Sequence, residues 1–200
     1  MKGRLILLLG GARSGKSRTA EKMAKNLGER VLYVATAEAR DEEMRARIEV
    51  HRSKRPATWR TIEVTSSVGS AVQSALVEGE VDVVLLDCLT MLLSNVLLEG
   101  LPDTEVENLD VGVTAAQARV SAEVDALLTS FRSCDVPWII VSNEVGCGVV
   151  PATALGRIYR DLLGWSNQRM AEAADSVYLM VAGLPVNLSQ LCHGEPDCLV

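Results

Sequence analysis

The stretch LILLLGGARSGKSRTAEKMA, residues 5–24, decides the fold. Its first five residues are apolar and run into Gly10-Gly11, the pattern of a short buried strand closed by a turn. Ser17 to Leu27 has helical spacing, and Gly28 follows as a C-cap. Between strand and helix, Gly10, four residues and then Gly15-Lys16-Ser17 match G-x-x-x-x-G-K-[ST] in full. Each position has a task. Successive backbone N–H groups of Gly10, Gly11, Ala12, Arg13, Ser14 and Gly15 turn inward around an anion. The helix behind them adds the positive end of its dipole. Lys16 brings a mobile charge to the β and γ phosphates, and the Ser17 hydroxyl is a ligand for Mg²⁺. The competing reading is a glycine turn with no ligand. A strand before the motif and a helix after it favour the phosphate loop.

The same alternation continues down the chain. RVLYVATA is a second buried strand, residues 39–54 are a charged helix, and WRTIEV is a short edge strand. A helix over 67–77 leads to VDVVLLD, a third buried strand, and CLTMLLSNVLL continues as an apolar helix. Residues 99–112 are acidic, contain Pro and Gly, and read as a mobile loop before a helix over 114–132. VPWIIVSNEVG is a strand entering a loop, residues 152–173 are helical, and SVYLMVAGLPVNL is a final pair of strands. The pattern predicts one three-layer α/β domain over residues 1–188, P-loop NTPase-like, with a mainly parallel central sheet. Residues 189–200 read as a flexible tail.

Composition narrows the field. Of 200 residues 48% are apolar, enough for one sizeable core and too many for global disorder. A single Phe leaves Val, Leu and Ala to fill the interior, which suits buried parallel strands. The net charge of −6 argues against bulk attraction to nucleic acid. No apolar run reaches the ~18–20 residues of a membrane span, and residues 5–9 are too short for the apolar region of a signal peptide, so the chain reads as cytoplasmic. Cys88, Cys134, Cys147, Cys192 and Cys198 include no C-x-x-C pair, so neither a zinc site nor a disulfide framework is signalled. Cys192, His193 and Cys198 make a poor soft-metal set.

Two further features bear on chemistry. Asp87 ends the VDVVLLD strand, where a carboxylate partner for Mg²⁺ belongs; its other reading is a helix N-cap. His51 lies in DEEMRARIEVHRSKRPATWRTIE, amid Arg45, Arg47, Arg52, Lys54, Arg55 and Arg60. It either ends an amphipathic stripe with Met44 and Ile48 or serves an anion-binding surface. Neutral imidazole beside such cations is a competent nucleophile near neutral pH. Attack on the α-phosphorus of a nucleoside triphosphate would give a nucleotidyl-histidine for a second substrate to resolve.

Taken in order, GGARSGKS, YVATA, DEEMRARIEVHRSKRPATWRTIE, LLDCLTMLLSN, SNEVGCGVVP and WSNQRMAEAADSVYLMVAGLPV resemble the bifunctional adenosylcobinamide kinase / adenosylcobinamide-phosphate guanylyltransferase family. The resemblance implies phosphorylation of the aminopropanol hydroxyl of adenosylcobinamide by ATP or GTP. It then implies transfer of GMP from GTP to adenosylcobinamide phosphate, with His51 carrying the GMP, and a homotrimer whose contacts help build the site. It carries nucleotide contacts over to Gly10–Ser17, Ala35, Thr36, Ala37, Arg52, Ser53, Lys54, Arg55, Glu63 and Asp87. Glu63 is either a partner for the guanine edge or ribose, or a solvated edge-strand acid. Asn143, Glu144 and Gly146 face either the corrinoid or a subunit interface, and Asn167, Gln168 and Arg169 have packing against a neighbouring subunit as an adequate role. Rival functions are another P-loop phosphotransferase with an inert His51, a nucleotide switch without catalysis, and only one of the two activities.

Overall fold

The computed structural model describes residues 3–39, 42–53, 55–99 and 109–191, with the side chains of 43, 44, 47, 51 and 109–113 outside that description. Strands β1 (Leu5–Gly10), β2 (Val31–Ala35), β3 (Arg60–Glu63), β4 (Val83–Asp87), β5 (Trp138–Val141), β6 (Ser176–Val181) and β7 (Leu184–Asn187) form one sheet. Their spatial order is β3-β2-β4-β5-β1-β6-β7, and only the β6–β7 hairpin is antiparallel. Helices α1 (Lys16–Leu27), α2 (Glu42–Ser53), α3 (Val68–Glu78), α4 (Leu89–Leu98), α5 (Leu109–Arg132), α6 (Ala154–Ala173) and the single turn α7 (Leu188–Leu191) complete the described fold.

Alternation along the strands sorts side chains onto two cores. Leu5, Leu7, Leu32, Val34, Val84 and Leu86 pack under α3, α4, α5 and α6. Leu8, Val31, Tyr33, Val83, Leu85 and Ile139 face the other way, against Ala20 and Ala24 of α1 and against Trp59. With both faces covered, the central strands can be apolar throughout, which is why they read as continuous runs.

Most expected elements are present, with shifted boundaries. Gly28 does cap α1, its N–H reaching Ala24 O at 3.1 Å, but in an extended conformation. Glycine is required there for clearance, since a Cβ would lie 2.2 Å from Cβ of Asp82. The helix expected from 114 begins at Leu109, so 109–112 are helical rather than loop. Gly112 and the acids around it read as breakers, but the apolar positions 109, 113, 116, 120, 124 and 127 keep helical spacing straight through. The rest of that expected loop, 100–108, lies outside the described residues, as do 192–200 of the expected tail with Cys192, His193 and Cys198. Residues 188–191 form the α7 turn, and Ser189 Oγ accepts a hydrogen bond from Val177 N–H at 2.9 Å.

Helix α3 is started by a remote residue. Ser67 sits in the left-handed region at φ 55° and makes no side-chain cap. The carboxylate of Glu123, on α5 and 9% exposed, accepts instead from the N–H groups of Ser67 (2.9 Å) and Val68 (2.8 Å). Gln73 Nε2 adds bonds to Ser130 O and Oγ at 3.0 and 2.9 Å. Removing the carboxylate leaves two N–H groups at a buried helix start without partners. Glu123→Ala should lower unfolding free energy by about 1–3 kcal/mol, read as a lower urea midpoint at unchanged m-value.

Candidate active site

The Gly10–Ser17 segment bridges the end of β1 and the start of α1. Gly15, the N-cap, holds φ 95°, a backbone state that favours glycine. Two neighbours fix the loop from outside: Glu144 N–H bonds Gly10 O, and Gly183 N–H bonds Ser14 O, both at 3.0 Å. Gly11, Ala12 and Arg13 are exposed, while Ser14 and Gly15 are half-buried. Lys16 is only 7% exposed and folds onto its own loop, Nζ donating to Gly10 O at 2.9 Å and Gly11 O at 2.7 Å. Burial lowers its pKa from the ordinary lysine value, against the raising pull of Cys88 and Asp87. Burial, and then the Asp87 charge, push the Cys88 thiol itself up to about 12. Cys88 is therefore neutral near pH 7, and the anion that Lys16 feels is Asp87.

Register builds the adjacent cavity. Ala35 pairs with Glu63 on one side and with Asp87 on the other, so β2, β3 and β4 end level. The carboxyl ends of parallel strands are where such sheets take ligands. Here they open into a cavity of about 180 Å³ whose lining includes Ser17, Ala35, Ala37, Arg55, Glu63 and Asp87. All six are among the residues expected at the site. Arg55 lies over Tyr33, its guanidinium carbon 3.7 Å from the ring centroid. Three buried side-chain polar atoms have no hydrogen-bond partner among the described residues, and two of them suit an anionic ligand here: Ser14 Oγ in the loop and Arg55 Nε in the cavity lining; the third is Arg60 Nε.

Residues 6–188 match the family described as Cobinamide kinase / cobinamide phosphate guanyltransferase. The chain belongs to that family. It is 39% identical over 184 residues to the bifunctional adenosylcobalamin biosynthesis protein CobU of Escherichia coli K12, covering 92% of this chain and 99% of the relative. The Salmonella typhimurium protein of the same name is also 39% identical, with the same coverage. The bifunctional adenosylcobalamin biosynthesis protein CobP of Pseudomonas aeruginosa is 43% identical over 190 residues, covering 95% of this chain and 98% of the relative.

Other expected site residues of this family member sit differently. Thr36 is fully buried and its hydroxyl is committed to the Cys88 peptide, donating to Cys88 O at 2.6 Å and accepting from Cys88 N–H at 2.9 Å. Its carbonyl accepts from Asn95 Nδ2 at 2.8 Å. Thr36 thus ties the end of β2 to the turn after Asp87. Arg52 is exposed and pairs with Glu63 at 3.8 Å, and Ser53 Oγ donates to Val50 O at 3.1 Å. His51 falls within α2, but its side chain, like the whole of Lys54, lies outside the described residues. Asp87 is not the N-cap of α4. That position belongs to Cys88, and Asp87 Oδ2 accepts from Tyr33 OH at 2.8 Å.

Beneath the end of β5 runs a buried polar network. Ser142 Oγ donates to Asn167 Oδ1 at 2.7 Å, Asn167 Nδ2 donates to Asn143 O at 3.0 Å, and Asn143 N–H donates to Thr90 Oγ1 at 2.7 Å. Asn167 therefore packs inside its own subunit, not against a neighbour; its buried amide demands partners and finds them here. Arg169 pairs with Asp125 at 2.6 Å and lies over Trp165. Tyr33 was not singled out from sequence. The available signal was a phenol in an otherwise aliphatic buried strand, whose hydroxyl must find a partner.

The Thr36 crosslink carries a testable load. Thr36→Val keeps the shape and removes both side-chain bonds, leaving the Cys88 N–H and C=O unpaired by it. The loss should be about 1–3 kcal/mol of stability, measured by chemical denaturation.

Proposed function

We propose that the chain catalyses two successive transfers. In the first, ATP or GTP phosphorylates the aminopropanol hydroxyl of adenosylcobinamide. In the second, GTP yields GMP to adenosylcobinamide phosphate, giving adenosylcobinamide-GDP and pyrophosphate. Membership of the cobinamide kinase / cobinamide phosphate guanyltransferase family supports both activities. The observation that carries the site assignment is the cavity itself, which joins the Ser17 hydroxyl, the Asp87 carboxylate and the Arg55 guanidinium beside the Gly10–Ser17 loop.

The residues present fit a magnesium nucleotide. Ser17 and Asp87 offer hard oxygen donors at one cavity. Among the described residues no cluster of three or more His, Cys, Asp or Glu could cage an ion. That suits a cation held largely by phosphate oxygens and water, as Mg²⁺ usually is. When bound, Mg²⁺ would neutralise charge on the phosphates. In the first transfer, loop N–H groups hold the β and γ phosphates, and Lys16 leaves the Gly10 and Gly11 carbonyls to meet them. Arg52, Ser53, Lys54 and Arg55 surround the triphosphate, Glu63 contacts the guanosine, and Ala35, Thr36 and Ala37 form the strand end beneath it.

In the second transfer, the His51 imidazole attacks the α-phosphorus. An N–P bond forms, the bond to pyrophosphate breaks, and basic residues take up the departing charge. The phosphate of adenosylcobinamide phosphate then attacks the same phosphorus, a P–O bond forms, and the N–P bond returns its electrons to the imidazole. Ile48 lines the cavity, and position 51 falls three residues on, on the same face of α2. That placement supports the assignment of His51.

A homotrimer agrees with the apolar surface. Val149 is 96% exposed and Leu184, on the edge strand, is 70% exposed. Among the described residues no helix is long and apolar enough to cross a membrane, and a nucleotide-consuming enzyme with unpaired Cys88, Cys134 and Cys147 suits the cytoplasm. The net charge of −6 speaks against a nucleic acid partner.

Incubation with GTP labelled in its α-phosphate tests the transferase half. Wild type should retain acid-labile, base-stable label and His51→Ala none, while kinase turnover survives that substitution. Label that persists on the variant removes His51 from the mechanism. Lys16→Ala should cut kinase turnover by about 10²–10³. Light scattering should give a mass about three times the 21.5 kDa chain mass, with Leu184→Asp shifting it toward monomer.

A further inference from the structure

Tyr33 is 1% exposed, in a strand whose other members are Val, Leu and Ala. Phe would fill the same space without a polar atom, and a buried hydroxyl destabilises unless it is hydrogen-bonded. The sheet register explains where this hydroxyl goes. Tyr33 pairs with Leu85, so Asp87 lies two residues further along the neighbouring strand, on the same face. From there the phenol reaches the carboxylate at 2.8 Å, donating to Oδ2.

The ring does separate work. Arg55 sits over it at 3.7 Å. Trp59 stacks against it, centroids 6.2 Å apart and planes at 27°, with Lys25 Nζ 5.9 Å from the Trp59 centroid. The Arg55 guanidinium is thus held by a π-face, while its Nε has no partner among the described residues. Tyr33 touches the cavity's carboxylate with its edge and the cavity's cation with its face.

We propose that Tyr33 is a positioning residue. Its hydroxyl fixes one oxygen of Asp87, leaving the other to a metal ion or its water, and its ring seats Arg55 against the phosphates. One side chain thereby holds the metal side and the phosphate side of the cavity in a fixed relation. This rests on the magnesium-nucleotide reading of the site given above.

Titration calorimetry with a non-hydrolysable GTP analogue, with and without Mg²⁺, separates the two contacts. In wild type Mg²⁺ should tighten binding. Tyr33→Phe keeps the ring, so metal-free affinity should match wild type while the tightening by Mg²⁺ falls roughly 3- to 10-fold, the range for one ordinary lost hydrogen bond. Tyr33→Leu should also weaken metal-free binding several-fold, because Arg55 loses its platform. If Tyr33→Leu does not fold, Tyr33→Phe alone decides. Adding Tyr33→Phe to Asp87→Asn should change the metal response no further, since both act through one contact. A Tyr33→Phe protein with the wild-type response to Mg²⁺ overturns the proposal, as does equal loss of affinity with and without metal. A wild type indifferent to Mg²⁺ overturns the underlying reading, and this one with it, and is told apart from the first failure by the wild-type titration alone.

Discussion

In a parallel sheet all strands deliver their carboxyl ends to one rim, and the pairing register sets how level that rim is. Here Ala35 stands opposite both Glu63 and Asp87, and Asp87 stands opposite Val141. Loops leaving β2, β3, β4 and β5 therefore start from one height, while β1 runs two residues past Leu8, the partner of Val141, before its glycine loop begins. A slip of one residue in β4 would turn Asp87 to the opposite face of the sheet. The packed apolar faces that forbid such a slip are thus what hold the cavity in shape.

Charge at that rim is arranged economically. Lys16 is buried and bonded to two carbonyls of its own loop, Asp87 is bonded to a phenol, and Cys88 is a neutral thiol near pH 7. Among the described residues, Lys16 and Asp87 are each hydrogen-bonded to neutral partners rather than to a tight opposite charge. That keeps both available to a third, highly charged species. The exposed pair of Arg52 and Glu63 is of another kind: loosely spaced, screened by water and worth little to stability.

What the sequence disclosed follows from the range of each signal. The strand, glycine loop and helix of residues 5–24 depend on neighbours in the chain, so their spacing reveals them. The same holds for the buried strands, whose apolar runs reflect two covered faces. Arg55, Glu63 and Asp87 were reached through family likeness and strand-end logic, and the fold gathers them. The roles of Thr36, Tyr33, Glu123 and Asn167 depend on partners remote in sequence, such as Asp87 for Tyr33 and Ser67 for Glu123, and no local pattern encodes those. Residues 109–112 were misread for a simpler reason: one glycine and several acids outweighed an apolar period that ran through them.

The position of β1 has a consequence for biogenesis. It leaves the ribosome ahead of the other strands described here, yet it lies deep in the sheet between β5 and β6. Its partners come much later in the chain, at Trp138–Val141 and Ser176–Val181. Until they emerge, a stretch of leucines and an isoleucine has no ladder to join, and is open to holdase capture or to self-association. Nascent chains halted before β6 would lack one flank of the glycine loop, including the Gly183 bond to Ser14. Competence to grip a nucleotide is thus deferred until the β6–β7 hairpin has been made.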